Sequence, residues 1–423
     1  MNSRTKFVVV MSSTCLVALL LLGGVVSKGA PADERASADG NVYKHLAVYS
    51  EVLSRIKSEY VEEPDMSSVT LGAMNGLLES IDPYASYLNA EQYKEYLKNF
   101  DTYRGDIGMV LAKKFGYITI VSVIPGSPAA KAGLTTGDML ETIKGIATRD
   151  MPLAYARLLL RGQAGSTVDL SVLRRKPEPQ KLTMTRVAIT PPPVESKLLP
   201  DNIGYIKIGA LGQARLKETA TAIAELQKQG AKKLLLDLRY SASGDPEDGI
   251  ELANMFIDKG LLAYSVGQKF PRKNYDADPK KDITSLPLIV LTNRGTAAAA
   301  EVAAAALQAD KRATVVGEHT YGDASVLRPI TMDDGSAVIL SVAKYYAPDG
   351  KSIQDNGVQP ETLVAEAEPL GADVDDDDAV AEPSPKIIGA PQSNGSNKNQ
   401  PAGAASPADD QILQKAIELA KKA

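Results

Sequence analysis

Lys233-Leu234-Leu235-Leu236-Asp237-Leu238 is an apolar run of strand length, and the segments around it decide the fold. Before it, Ile203 to Ile208 reads as a strand and Arg215 to Gln229 as a helix. After it come a helix from Pro246 to Ile257, a strand from Pro287 to Thr292, a helix from Thr296 to Gln308 and a strand from Ala313 to Gly317. Strands alternating with helices predict a mainly parallel sheet covered by helices. Gly335 to Leu340 and Ala343 to Tyr346 read as a hairpin appended to this core. Pro191-Pro192-Pro193 is a stiff connector that separates the core from what precedes it.

Upstream, Arg104-Gly105-Asp106-Ile107-Gly108-Met109-Val110 leads into the β-branched run Ile118-Thr119-Ile120-Val121-Ser122-Val123-Ile124. Pro125-Gly126-Ser127-Pro128-Ala129-Ala130 follows, in which Ser127 caps a short helix with proline in first position, and Gly137-Asp138 turns into the strand Met139 to Ile143. In this order the segments resemble a PDZ domain over residues 101–189. That resemblance implies a peptide-binding site at Gly105, Asp106, Ile107, Gly108 and Met109, where backbone amides receive a terminal carboxylate and a sheet edge accepts an added strand. Residues 42–100 carry helical apolar spacing through Leu46, Leu53, Ile56, Leu71, Met74 and Leu78, and form a helical amino-terminal region.

With 423 residues, 44% hydrophobic and 23% charged, the chain can build two or three domains with cores of their own. A formal net charge of −5 without long basic runs gives no electrostatic reason to bind nucleic acid. Cys15 is the single cysteine, which excludes an intrachain disulfide, a CxxC redox pair and a thiolate zinc cage. His45 and His319 are the only histidines, and no metal-ligand spacing or phosphate loop occurs, so neither a metal nor a cofactor is expected.

Residues 7–26 form an apolar stretch long enough for the roughly 30 Å hydrocarbon layer, and Arg4 and Lys6 precede it. Residues 1–32 therefore read as a signal anchor, or as a signal peptide cleaved near Ala30-Pro31-Ala32. The body is then expected in a bacterial cell envelope, on the extracytoplasmic side of the inner membrane or secreted. Residues 366–409, rich in Ala, Pro, Asp, Gly, Ser and Asn around Asp375 to Asp378, read as a disordered linker. Residues 410–423 follow as an amphipathic helix, through Ile412, Leu413, Ala416, Ile417 and Leu419, that docks back on the body.

Ile203 to Ile208, Leu236-Asp237-Leu238-Arg239, Val316-Gly317-Glu318, Tyr321-Gly322, Asp334-Gly335-Ser336 and Lys344 to Ile353 together resemble the carboxyl-terminal processing, or tail-specific, serine peptidases. With the PDZ-like segment and the helical lead-in, the likeness spans residues 42 to 365. It implies an α/β core of crotonase/ClpP-like type over residues 190–365. It also places the catalytic serine of that family at Ala298, within Thr296-Ala297-Ala298-Ala299-Ala300-Glu301, and its lysine base at Asp323. Where the family carries a glycine pair for the oxyanion hole, the residues here are Ser243 and Gly244, and the glutamine after the lysine is replaced by Leu327.

A methyl group is no nucleophile, and an ionised aspartate cannot act as the neutral amine that a serine–lysine dyad needs. The chain thus reads as a catalytically inactive homologue that binds protein carboxyl termini or extended peptides through its PDZ domain, as a scaffold, or as a regulator paired with itself or an active relative. The alternative is an active serine-type peptidase with rearranged residues, for which Thr296, Ser325 or a Glu301–Asp323 acidic pair are the candidates. Thr296 has a helix-capping role as its plainer reading, and Ser325 an ordinary place in a strand.

Overall fold

The computed structural model describes residues 32–102, 104–114, 116–174, 178–366 and 410–422. The apolar stretch at 7–26 and most of the expected linker lie outside these residues. No helix among the described residues is long and apolar enough to cross a membrane. The chain divides into two units after Thr70. The first holds helix α1 (Ala32–Glu59), and α2 (Met66–Glu79) leads into the second. Strand β1 (Ser86–Leu88) and helix α3 (Ala90–Thr102) follow.

Next comes a β-rich module. It is built from β2 (Gly105–Asp106), β3 (Met109–Lys114), β4 (Tyr117–Val123), α4 (Pro128–Lys131), β5 (Met139–Ile143), β6 (Ile146–Ala147), α5 (Leu153–Leu160), β7 (Thr167–Leu173), β8 (Gln180–Thr185) and β9 (Val187–Ala188). Its sheet runs β3-β4-β5-β7-β8, so β3 is an edge strand, while β2 pairs with β9. Ser127 caps α4 as its sequence suggests, accepting from the Ala130 amide at 3.2 Å. Ile107, Ile118, Leu140, Ile143, Leu153 and Val172 fill the core of the module, where each is 1% exposed or less.

The α/β core starts with β10 (Glu195–Leu199), antiparallel to β11 (Ile203–Lys207). After α6 (Gln213–Lys228) comes β12 (Lys233–Asp237), parallel to β11, and then α7 (Pro246–Asn254). Strands β13 (Leu261–Val266) and β14 (Lys273–Asp276) belong to a second sheet. Strand β15 (Leu288–Thr292), helix α8 (Ala299–Ala309) and strand β16 (Ala313–Gly317) return to the first. The main sheet has the order β10-β11-β12-β15-β16-β19, the last strand being Thr362–Leu363, and every pair from β11 onward is parallel. Leu234, Leu236, Val290 and Val315 face the helices α6, α7 and α8, while Leu235, Ile289, Leu291 and Val316 face α9 (Gln411–Lys422). Burial of both faces explains why these strands read as unbroken apolar runs.

Two expectations change. The hairpin at 335–346 is one strand, β18 (Ala337–Tyr346), whose partner is β17 (Ser325–Thr331). The turn falls at Asp333-Asp334-Gly335, between β17 and β18, because Asp334 folds back onto the Ser336 amide and hydroxyl. Helix α8 begins at Ala299, three residues later than its composition suggests. An irregular turn anchored on Asn293 occupies the intervening residues.

Gly249 on α7 explains how closely the two helices behind the main sheet approach. A Cβ at this position would stand 1.9 Å from the carbonyl oxygen of Ala299, so only glycine lets α7 pack against the start of α8.

Candidate functional site

Three loops leave the carboxyl ends of the parallel strands β12, β15 and β16 side by side, which is where open α/β sheets build their sites. They are stitched together by main-chain bonds. The Ala297 amide donates to Ser241 O at 2.9 Å, and Tyr321 N donates to Thr296 O at 2.9 Å. Asn293 is the hub, since its Oδ1 accepts from the amides of Tyr240 at 3.0 Å and Gly295 at 3.1 Å.

At the end of this strand-to-turn-to-helix connection stands Ala298, with φ 54° and ψ −124°. A non-glycine residue in such a conformation is strained, and strain of this kind collects at functional turns. Nucleophile-bearing turns between a strand and a helix share this sharp geometry. Ala299 and Ala300 are fully buried and Ala297 nearly so, whereas Ala298 is half-buried. Its side chain is a methyl group.

Glu301, one turn into α8, is wholly buried and organises the loop after β16. Its Oε2 accepts from the amides of Ala298 at 3.1 Å and Asp323 at 2.8 Å; its Oε1 accepts from the Gly322 amide at 2.6 Å and from the Thr320 hydroxyl. Burial pushes the Glu301 carboxyl up to about 7, against the pull of these donors. Burial likewise raises the Asp323 carboxyl, with Arg157 opposing and Asp82 and Asp355 reinforcing the shift. Tyr321 is pushed up to about 12 by burial and by Asp323, and burial holds the Tyr84 phenol protonated more firmly still. Glu301, Asp323, Tyr321 and Tyr84 thus all favour their protonated forms, and the Arg157 guanidinium acts on both Asp323 and Tyr321.

The two candidate hydroxyls, Thr296 and Ser325, are engaged in the scaffold, whereas the Ser241 hydroxyl on the neighbouring loop is buried without a hydrogen-bond partner among the described residues. Thr296 is fully buried; its Oγ1 donates to Leu238 O at 2.9 Å and accepts from Asn293 N at 3.1 Å. It braces the turn and does not cap α8, because the turn's own hydrogen bonds claim it before the helix starts. Ser325 Oγ accepts from Ser341 Oγ at 2.9 Å across the β17–β18 pair. Glu301 and Asp323 meet through the Asp323 amide, and no carboxyl–carboxyl hydrogen bond links them among the bonds described. Ser243 gives its carbonyl to the Leu211 amide at 3.2 Å, and Gly244 takes φ 109° against the Leu211 side chain.

The β-rich module lies directly over these loops. Ser122 Oγ donates to Tyr240 O at 2.7 Å, and Ala112 and Val121 pack with Ala242 and Ala297. Tyr321 touches this contact and the module's own core. Its peptide-site residues are placed less simply than expected. Ile107 is buried in the module core and not presented to a ligand, because the turn points its side chain inward. The Ile107 and Gly108 amides donate to Asp106 Oδ1 at 2.6 and 3.0 Å. Gly108 has φ 83°, and a Cβ there would meet Ser127 Cβ at 2.3 Å. Met109 opens β3 opposite Val123.

Glu366 is a site residue that composition hid inside the expected linker. Its carboxylate accepts from the Tyr240 hydroxyl at 2.6 Å and from Asn293 Nδ2 at 2.9 Å, so it belongs to the wall of the site. Nothing local distinguishes it within Ala365-Glu366-Ala367-Glu368. The same holds for Arg157 and Tyr84, whose electrostatic links to Asp323 join segments far apart in sequence. His319 Nδ1 lies 2.8 Å from Thr320 O, and His45 is on α1. Among the described residues no group of three or more His, Cys, Asp or Glu side chains is placed to hold a metal.

Residues 202–364 match peptidase family S41, and residues 119–174 match a PDZ domain. The chain is 33% identical over 362 residues to the carboxy-terminal processing protease CtpA of Bacillus subtilis, an alignment covering 85% of this chain and 77% of that protein. This chain belongs to peptidase family S41. Its family likeness extends to the carboxy-terminal-processing protease of Bartonella bacilliformis, 32% identical over 78% of this chain and 77% of that protein. Among solved S41 folds, the photosystem II D1 C-terminal processing protease superposes with a TM-score of 0.63 at 28% identity, covering 75% of this chain and 86% of the other. In this S41 member the three stitched loops carry Ala298, Asp323 and Tyr240, Glu301 stands in the first turn of α8 beside them, and the β-rich module above them is its PDZ domain.

Proposed function

We propose that this S41 member binds extended peptides or protein tails without hydrolysing them. One observation carries the reading. The strained strand-to-helix turn that would aim a nucleophile into the cleft presents the methyl group of Ala298. Asp323, on the loop where the family's lysine is expected, has a carboxyl raised by burial, with the Arg157 guanidinium opposing the shift. A serine–lysine dyad would need both positions, and both have departed in a direction that removes reactivity. Thr296 and Ser325 support the same view, since each hydroxyl is engaged in the scaffold.

The relatives named as carboxy-terminal processing proteases supply the class of partner: unfolded or tail-like polypeptide, held as an added strand on the PDZ edge. The apolar stretch at 7–26, with Arg4 and Lys6 before it, supports an extracytoplasmic body tethered to a bacterial inner membrane. There the protein would act as a scaffold for its guest or as a regulator of an active relative.

The test is peptide cleavage and peptide binding measured side by side on the full chain in detergent. Binding of an unfolded, apolar-tailed substrate with no cleavage over days is expected. Cleavage that disappears in Thr296→Ala or Ser325→Ala would overturn the proposal in favour of a rearranged peptidase.

A further inference from the structure

The PDZ domain already has a carboxylate where a guest's terminus would go. An extended peptide adds to an exposed sheet edge, and its terminal carboxylate, if it has one, settles on backbone amides at the end of that edge. Strand β3 is the edge strand of the PDZ sheet, and α5 runs beside it. At the head of β3, the amides of Ile107 and Gly108 both donate to Asp106 Oδ1, at 2.6 and 3.0 Å. The other oxygen of Asp106 lies 3.7 Å from Arg161 Nε. Amides and cation together make a carboxylate site, and the chain's own carboxylate fills it.

This arrangement is held rigidly. Gly105 exchanges two hydrogen bonds with Gly162, each 3.0 Å, and a Cβ on Gly105 would meet the Gly162 carbonyl oxygen at 2.6 Å. On the other side Gly108 is wedged against Ser127. The Asp106 carboxylate is therefore tethered beside its amides, at an effective concentration a free ligand in solution cannot match. An incoming carboxylate must displace it and sit next to a like charge.

We infer that Asp106 is a specificity-determining internal competitor, so that this PDZ domain takes internal extended segments in preference to free carboxyl termini. The inference rests on the peptide-binding reading above and sharpens its substrate class. An internal segment needs only the backbone of β3 and carries no terminal charge to the occupied amides. Arg157 on α5 donates to Leu111 O at 3.0 Å on this strand, a bond that any added strand would have to replace. That exchange falls equally on both kinds of guest and does not discriminate between them.

The experiment uses the full chain in detergent and one apolar extended peptide in two forms, free acid and carboxyl-terminal amide. The native protein should bind the amide at least as tightly as the acid. Asp106→Ala should tighten the free acid by about tenfold and leave the amide within about threefold, because only the acid needs the vacated amides. Asp106→Asn keeps the acceptor oxygen without the charge. It should shift the acid-to-amide ratio the same way by a smaller factor, and it supplies the ratio if the alanine variant fails to fold. Tighter binding of the acid than the amide by the native protein, or a ratio unmoved by these substitutions, overturns the inference and leaves peptide binding standing. Absence of binding to either peptide by native and variant proteins alike overturns the peptide-binding reading and this inference with it.

Discussion

Arg239 and Asp410, 171 positions apart, meet fork to fork, with Nη1–Oδ1 at 2.7 Å and Nη2–Oδ2 at 2.8 Å. Arg239 follows β12 at the edge of the site and also grips the fully buried Asp237, whose Oδ2 accepts from the Tyr205 hydroxyl at 2.8 Å. Asp410 opens α9, where it accepts from the Leu413 amide at 2.9 Å. One carboxylate thus fixes the docked helix to the loop that carries Tyr240.

Asp410→Ala should lower stability by about 1–3 kcal/mol at neutral pH, less than the loss of a whole buried pair, because Asp237 still neutralises Arg239. Burial works against the Asp410 charge, but Arg239 and the Leu413 amide outweigh it and hold the carboxyl below its ordinary 3.8. Its contribution is present above that ordinary value and fades as pH falls through the lower folded value. Urea unfolding of native and variant chains should show the gap closing in acid. Equal stability at pH 7 would contradict the clasp.

Ala298→Ser should leave peptide hydrolysis at the level of the enzyme-free control. The new hydroxyl would stand in the strained turn without the neutral amine a serine–lysine dyad uses if, as proposed, Asp323 takes the place of the lysine, and Glu301 is fully engaged with its four donors. A sensitive fluorogenic peptide assay decides this, and turnover by the single variant would mean another base is in reach.

Glu301 makes stability depend on pH in the opposite sense to Asp410. Below its ordinary 4.5 the carboxyl is protonated folded or unfolded and contributes no slope. Between 4.5 and about 7 the unfolded chain releases the proton while the folded chain keeps it, so stability falls as pH rises, by about 3 kcal/mol in all. Glu301→Gln removes this slope, although it sacrifices acceptors for the loop after β16. The stability advantage of the native chain over Glu301→Gln should shrink from pH 4.5 to pH 7.5 in thermal or urea melts; a constant difference would show that the proton is absent.

Gly249→Ala should destabilise the chain by about 3 kcal/mol or more, because the added Cβ meets backbone at Ala299 and not a side chain that can rotate away. Circular dichroism melts would reveal it. Since Ala299 adjoins Ala298, the variant should also loosen the turn, read as faster amide hydrogen exchange at residues 295–300.

The parallel core was legible because burial on both faces writes continuous apolar strands, such as Leu234 to Leu236 and Leu288 to Leu291, between amphipathic helices. The PDZ module was legible through its turns. Less visible was the single strand Ala337–Tyr346, since alternation across Ser341 looks like a break when the partner strand is unknown. The bracing role of Thr296 and the place of Glu366 in the site are hidden for a related reason. Each takes its role from partners far off in sequence, Leu238 for one and Tyr240 for the other.

Composition and order alone established which modules this chain contains and that its position 298 carries a methyl group, because side-chain chemistry is written residue by residue. Folding decided what surrounds that methyl group: the strained turn, the buried Glu301 with its four donors, the PDZ strands over Ala297, and Asp106 on the amides it would otherwise leave to a guest. Those are hydrogen bonds and contacts between segments remote along the chain. Their distances exist only once the backbone has brought the segments together.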